Sequence, residues 1–432
     1  MSKRDSFGSK IGAILVAAGS AIGLGSIWRF PYMTGENGGG AFLLVYLLSV
    51  LIVGIPVMLA EFAIGTYTRK SPVKAYNQLS PRWKWLGYNS IIVSLLISGF
   101  YYIVAGWSLE YFVSSIDGSL YLTTNFHEHF VAFTASWKEP LYTVLFILLT
   151  HLVVAMGVQK GLERISKIVM PILLIMLIVL VLHSAVMPGA KEGYRFLFTP
   201  DFGKAFSIRT IISAIGQAFF SLSIGLGCMI AYSSYFKEGT NLSKTSFSVS
   251  LMTFFVAMLS GMVIFPAVFS VEGLEPTAGP TLLFETLPFI FAEMAGSQFW
   301  SAIFFLLVAL AALTSTISFH EVITQYLQEN HNVERKNAAL ITSIATLTLS
   351  VVCLKWEWFF GAFDSITADV LMPVGGLLTA VFAGWVFDKK IFREQISNYG
   401  ALRARFFSVL LFTLKWVAPI LLSIVFVWNL IF

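Results

Sequence analysis

The run Ile-Gly-Leu-Gly occurs twice in this chain, at residues 22–25 and 224–227. Each copy lies in the middle of a long apolar stretch. Serines flank both: Ser20 and Ser26 at the first, Ser221 and Ser223 at the second. A glycine costs a helix interior up to about 1 kcal/mol relative to alanine. Two glycines beside hydroxyls therefore mark a place where a helix can unwind. Unwinding frees N–H groups at one half-helix end and C=O groups at the other. The N–H end attracts an anion such as a carboxylate. The carbonyls suit a hard cation or an ammonium group, so one break can serve both poles of a zwitterion. A single Gly-x-Gly would favour close helix packing, since small residues let membrane helices approach. The recurrence five spans later favours a site, because inverted repeats with broken first helices bind ligands near the bilayer midplane.

Few other residues offer chemistry. Arg29, Glu61, His320, Glu321, Asp364 and Lys415 carry ionisable groups within or beside apolar stretches. Such groups are costly at membrane depth and usually functional. His320 and Glu321 show no ligand spacing and read as packing or solvated-face residues. Cys228 and Cys353 read as buried small hydrophobes. The sequence shows no metal-ligand cluster, no Ser-His-Asp set and no phosphate-binding loop, so it does not read as an enzyme.

The elements that must position these residues follow from composition. Of the 432 residues, 57% are hydrophobic and 12% charged, against about 25% charged in a soluble domain. Continuous apolar runs of membrane-spanning length select helices over a barrel. The chain reads as an all-α polytopic membrane protein with eleven spans. They lie near 10–34, 41–68, 87–114, 140–157, 164–187, 207–235, 243–270, 299–328, 337–354, 359–387 and 405–431. The first run leads to Arg29 and Asn37-Gly38-Gly39-Gly40 without a small-residue cleavage site, so it reads as a span and not a removable leader. The stretch 271–298, with Pro276, Gly279, Pro280 and Pro288, reads as a loop with a short helical hairpin. With the N-terminus in the cytoplasm, inner segments hold 20 of the 28 Lys and Arg residues. The positive-inside rule thus places the N-terminus inside and, with eleven spans, the C-terminus outside.

The segments carrying these features resemble the neurotransmitter:sodium symporter family. They include Gly19-Ser-Ala-Ile-Gly-Leu-Gly-Ser-Ile-Trp-Arg-Phe-Pro31, Glu36-Asn-Gly-Gly-Gly-Ala-Phe42 and Gly54-Ile-Pro-Val-Met-Leu-Ala-Glu61. Tyr101-Tyr102 with Trp107, Lys160-Gly-Leu-Glu-Arg164 with Met170-Pro171, and Thr199-Pro-Asp-Phe202 continue the likeness. So do Gly216-Gln-Ala-Phe-Phe-Ser-Leu-Ser-Ile-Gly-Leu-Gly227 and Ala311-Ala-Leu-Thr-Ser315. The likeness runs from about residue 7 to about 385, and eleven spans suit its shorter bacterial members. It implies the leucine-transporter fold: two inverted five-helix repeats, 1–190 and 191–390, plus one extra C-terminal helix in 391–432. The broken-helix pattern is itself known from that fold, so it is precedent as much as derivation. The implied activity is Na⁺-driven symport of an amino acid by alternating access in a bacterial cytoplasmic membrane. The partners are the substrate and the lipid bilayer, with no nucleic acid.

The resemblance also implies sites. One Na⁺ would sit among the carbonyls of Gly19, Ile22 and Ala311 and the hydroxyls of Thr314 and Ser315. A second would use Ala21, Ser26, Ser221, Thr253 and the substrate carboxylate; the family usually has asparagine where this chain has Ser26 and Thr253. Around Tyr46, Gln217, Ser221, Thr253 and Ala257, where some members bind chloride, Ala257 supplies no ligand, so chloride is not expected. The substrate carboxylate would meet the amides of Leu24 and Gly25 and the hydroxyl of Tyr102. Its ammonium would meet Ala21, Phe220 and Ser223. Its side chain would face Ser20, Ser98, Phe220, Leu226, Ser315, Ser318 and Phe319, where the small Ser98 and Leu226 imply a large neutral side chain, hydrophobic or aromatic. Arg29 and Asp364 would gate the outside, with Phe220 and Tyr102 as a lid. Arg4, Glu329 and Tyr235 would close the inside, with Phe7 as a plug. A channel, a sensor that binds without transporting, and proton coupling through Glu61 are the competing readings.

Overall fold

The computed structural model describes residues 5–122, 125–271, 283–402, 404 and 406–431. Among the described residues there are helices and no strands. Nine helices among the described residues are long and apolar enough to cross a membrane. They are span two (Gly40–Thr68), three (Pro81–Asp117), four (Lys138–Ala155), five (Val158–Ser184), seven (Leu242–Val268), eight (Ser297–His331), nine (Arg335–Lys355), ten (Glu357–Val386) and eleven (Phe407–Ile431). Span one is a bent pair, Lys10–Ala21 and Gly25–Glu36, with a 54° angle at the break. Span six is interrupted for longer, between Ile208–Ser221 and Cys228–Ser233. Neither half of span six is long enough to cross alone, so against the expected eleven crossings the described residues give nine continuous spans and one bent pair.

Local sequence explains both interruptions. Span one starts at Ser9, whose hydroxyl accepts the Gly12 amide, an N-cap. Its first half ends where Ile22 leaves helical geometry. In span six the backbone turns left-handed at Ser223, Gly225 and Gly227. The glycine at 225 is required twice over. Its φ is +83°, and a Cβ there would lie 2.6 Å from the carbonyl oxygen of Met372. Span ten meets this point with its own Gly375 and Gly376, so two backbones touch at the break.

The layering follows burial. The most apolar stretch of span three is 78% buried, against 33% in spans five and eleven. Spans three and eight therefore form the inner wall, while Ile168, Ile172, Ile175, Ile420 and Ile424 face outward toward lipid. Of the expected hairpin between spans seven and eight, the helix Thr286–Ala292 is present; residues 272–282 lie outside the described residues. Both cysteines are buried and free.

Candidate functional site

The two breaks face each other and are tied together by their own polar atoms. The Ser223 hydroxyl donates to the Ser20 carbonyl at 2.7 Å. The Gln217 side-chain amide donates to the Gly25 carbonyl at 2.7 Å. The Gly225 amide, freed by the interruption, donates to Glu61 Oε1 at 2.7 Å. Glu61 is fully buried and thus replaces a lost helical acceptor. From span three, the Tyr101 hydroxyl accepts the Leu24 amide at 3.1 Å.

A small cavity of about 20 Å³ lies between the breaks. Ser20, Ala21, Gly23, Gly25, Phe220, Ser223 and Leu226 line it from the broken spans. Ile97 and Tyr101 approach from span three, Ser315 and Phe319 from span eight, and Met372 from span ten. The wall carries no charged side chain.

Three expected side chains are not there. Tyr102 points away, its hydroxyl 3.5 Å from the Thr316 carbonyl and 3.3 Å from His320 Nδ1. Ser98 bonds back to the Ser94 carbonyl at 2.7 Å. Their neighbours Tyr101 and Ile97 take the places instead. The shift is one residue, or about 100° of helix rotation. The doublet Tyr101-Tyr102 hides it, because either register offers a tyrosine with a partner four residues earlier. Ser318 is also elsewhere, accepting from Tyr232 at 2.7 Å and donating to the Thr314 carbonyl at 2.9 Å.

Part of the first expected cation set meets between spans one and eight. Thr314 Oγ1 lies 2.9 Å from the Ala311 carbonyl and 3.4 Å from the Ile22 carbonyl. Ser315 Oγ lies 3.5 Å from the Ser20 carbonyl. Gly19 abuts Thr314, where a Cβ would come within 3.3 Å of the threonine Cβ. These neutral oxygens suit a hard monovalent cation. The second set is looser. Ser26 Oγ is 3.3 Å from the Ala21 carbonyl, and Ser221 Oγ is 2.7 Å from the Tyr46 hydroxyl. Thr253 is turned back onto the Val249 carbonyl of its own helix at 2.9 Å. Gln217 Oε1 is buried with no partner among the described residues. Ala257 is buried one turn after Thr253 on the same helix.

Outside the central cavity lies a vestibule of about 120 Å³, lined by Arg29, Phe220, Asp364 and a residue that sequence reasoning missed, Asp369. The Arg29 guanidinium carbon sits 4.5 Å from the centre of the Phe220 ring, a cation–π contact. Asp369 joins Asp364 because span ten is π-helical over Ile366–Leu371, which brings residues five apart onto one face. On the inner side Phe7 is fully buried, edge-on to Tyr235 with ring centres 5.9 Å apart. Tyr235 donates to Glu321 Oε1 at 2.7 Å. Glu329 accepts the Ser71 amide at 2.8 Å, and its carbonyl accepts from Lys74. Arg4 lies outside the described residues. Glu321 is no solvated-face residue: it is fully buried and pairs with Arg335 through two bonds, at 3.1 and 2.5 Å. His320 is a packing residue, its Nε2 on the Ala339 carbonyl at 3.1 Å. Lys415 lies over the Trp385 ring at 4.7 Å.

The model of the sodium:neurotransmitter symporter family matches residues 4–140 and 128–432. An uncharacterised sodium-dependent transporter of Bacillus subtilis, YhdH, is 36% identical, with 98% of this chain and 97% of that protein aligned. The serotonin transporter of Drosophila melanogaster is 26% identical over 99% of this chain and 76% of its own length. The crystal structure of MhsT in complex with L-phenylalanine superposes with a TM-score of 0.90 at 37% identity, covering 98% of this chain and 99% of that one. The shared fold is that of the leucine transporter, with two inverted five-helix repeats and an added helix. The chain belongs to the sodium:neurotransmitter symporter family and is a sodium-dependent membrane transporter, not an enzyme.

Proposed function

We propose that the transported substrate is a neutral amino acid with a large hydrophobic or aromatic side chain, carried with Na⁺ by alternating access. The observation that carries this reading is the wall of the central cavity: Ile97, Phe220, Leu226, Phe319 and Met372 close one end, with no charged group. At the other end the broken span one offers its amides beside the Tyr101 hydroxyl. The phenylalanine bound by MhsT supports the same class. The narrow cavity requires Phe220 or Met372 to move when such a side chain enters. Ser98 no longer contributes to the case for a large substrate.

In this reading the Leu24 and Gly25 amides and the Tyr101 hydroxyl bind the carboxylate. Ala21 and Phe220 carbonyls and Ser223 receive the ammonium, while Ser20 and Ser315 line the side-chain end. One Na⁺ binds at Gly19, Ile22, Ala311, Thr314 and Ser315. A second binds at Ala21, Ser26, Ser221 and Thr253, whose hydroxyl donates its proton to the Val249 carbonyl and keeps its lone pairs for the ion. Chloride is not required. Arg29 with Asp364 forms the outer gate. The inverted halves are 1–190 and 191–390, followed by the extra helix in 391–432, with the N-terminus in the cytoplasm of a bacterial cell and the C-terminus outside.

The test is uptake of labelled L-phenylalanine by proteoliposomes under an inward Na⁺ gradient, with every amino acid as competitor. Saturable, Na⁺-dependent uptake, blocked best by large apolar competitors and unchanged when gluconate replaces chloride, is expected. A flux that never saturates, or uptake driven by a proton gradient without Na⁺, rejects the reading.

A further inference from the structure

Lys415 has no part in the transport site, yet it sits inside span eleven, about 12 Å along the helix from Phe407. A lysine at that depth stretches its side chain toward the interface. This one runs across span ten. Its Cγ packs where a Cβ at Gly384 would come within 3.0 Å, and its ammonium lies 4.7 Å from the centre of the Trp385 ring. The Trp385 indole N–H donates to the Lys415 carbonyl at 3.2 Å. Trp416 meets Trp385 edge-on at 5.1 Å. Both tryptophans are about half exposed, as aromatic residues are at the level of lipid headgroups.

A second charge comes from the helix that follows span ten, Lys389–Ile396. The Lys389 side chain comes within interaction range of the Lys415 ammonium. Two like charges brought together repel, and among the described residues no Asp or Glu pairs with either lysine. The adjacent carboxylate, Asp388, caps the helix instead, accepting the Lys390 and Ile391 amides at 2.8 and 3.0 Å. Phe392, Gln395 and Ile396 are buried, while Lys389, Lys390 and Arg393 stay exposed. Residues 387–406 carry five Lys and Arg against two Asp and Glu. The missing counter-charge is therefore an anion from outside the chain, at headgroup depth. Val386, Val409, Phe412 and Ile420 of the same two spans are exposed and apolar, a surface for acyl chains.

We propose that Lys389 and Lys415, beside Trp385, bind the headgroup phosphate of an anionic phospholipid. A bound headgroup ties the end of span ten to span eleven, and span ten carries Gly375 and Gly376 against the break in span six. The test does not depend on the identity of the transported substrate or the coupling ion. Dioleoyl phosphatidylglycerol or dioleoyl phosphatidylcholine is titrated into the purified full-length protein in dodecyl maltoside, and the first bound lipid is followed by native mass spectrometry. Phosphatidylglycerol should bind at least about tenfold more tightly than phosphatidylcholine. Lys389→Gln and Lys415→Gln should each weaken phosphatidylglycerol binding about fivefold. Lys336→Gln, at an exposed lysine that begins span nine, should leave it unchanged. Equal binding of the two lipids, unchanged affinity in both variants, or equal weakening by Lys336→Gln overturns the proposal. So does full displacement of the lipid by the same concentration of inorganic phosphate, which would assign the lysines to a free anion. Lys389 is exposed, so its variant decides the matter should Lys415→Gln not fold.

Discussion

The Tyr101 hydroxyl accepts the Leu24 amide at 3.1 Å, so a side chain of span three supplies the partner that span one lost when it broke. The contact is possible because residue 23 is glycine: a Cβ there would lie 2.9 Å from that hydroxyl and 2.0 Å from Ser315 Oγ. A phenol here both steadies the break and remains available to an incoming carboxylate.

Tyr101→Phe should therefore reduce substrate affinity by roughly 10- to 100-fold, the worth of a hydrogen bond to a charged group. Tyr102→Phe should change affinity less than about twofold while costing about 1 kcal/mol of stability, through its contacts to Thr316 and His320. Equilibrium binding of labelled substrate, with thermal melts of both variants, separates the two. Equal effects on binding would reject the assignment of Tyr101.

Gly225→Ala tests the break in span six. The left-handed φ of +83° and the 2.6 Å approach to the Met372 carbonyl leave no room for a methyl group. A loss of more than about 1 kcal/mol is expected, since alanine is strained at positive φ and backbone atoms cannot yield as a flexible side chain can. The thermal midpoint should fall. Gly216→Ala, where an added Cβ meets nothing within 4 Å, should leave it unchanged.

Ser315→Ala should raise the Na⁺ concentration needed for half-maximal uptake by several-fold. The reason is that Thr314 Oγ1 meets the Ile22 and Ala311 carbonyls while its neighbour Ser315 meets the Ser20 carbonyl of the same broken span. A neutral cage loses a ligand without changing its charge, so the maximal rate at saturating Na⁺ should survive better than the affinity. An unchanged Na⁺ activation curve would remove Ser315 from the cage.

The broken spans were legible in the sequence because glycine and serine act through the local backbone, and 22–25 and 224–227 repeat the same local signal. Register on a continuous helix was not. Span three is apolar almost all round, so Tyr101 and Tyr102 differ in sequence only by the rotation that tertiary packing chooses. Asp369 stayed hidden for a related reason: a five-residue spacing points away from Asp364 on an α-helix and toward it on the π-helical turn. The partner of Glu321 was out of reach because Arg335 begins a different span, 14 residues on.

That last pair governs the inner closure. Glu321 of span eight and Arg335 of span nine are on the wall that spans three and eight build, while Tyr235 follows the inner half of span six and Phe7 precedes span one. The Tyr235 hydroxyl is thus a link from the broken helices to a fixed ion pair. Removing either ion alone strands a buried charge and should cost about 3–5 kcal/mol, so Glu321→Ala and Arg335→Ala should lower the thermal midpoint sharply. Tyr235→Phe leaves the pair intact and keeps the ring against Phe7. It should change stability by only about 1 kcal/mol yet speed deuterium exchange at the amides of Gly8–Gly12 several-fold, because the inner closure opens more often. Exchange at the wild-type rate in this variant would show that the link does not hold the inner side shut.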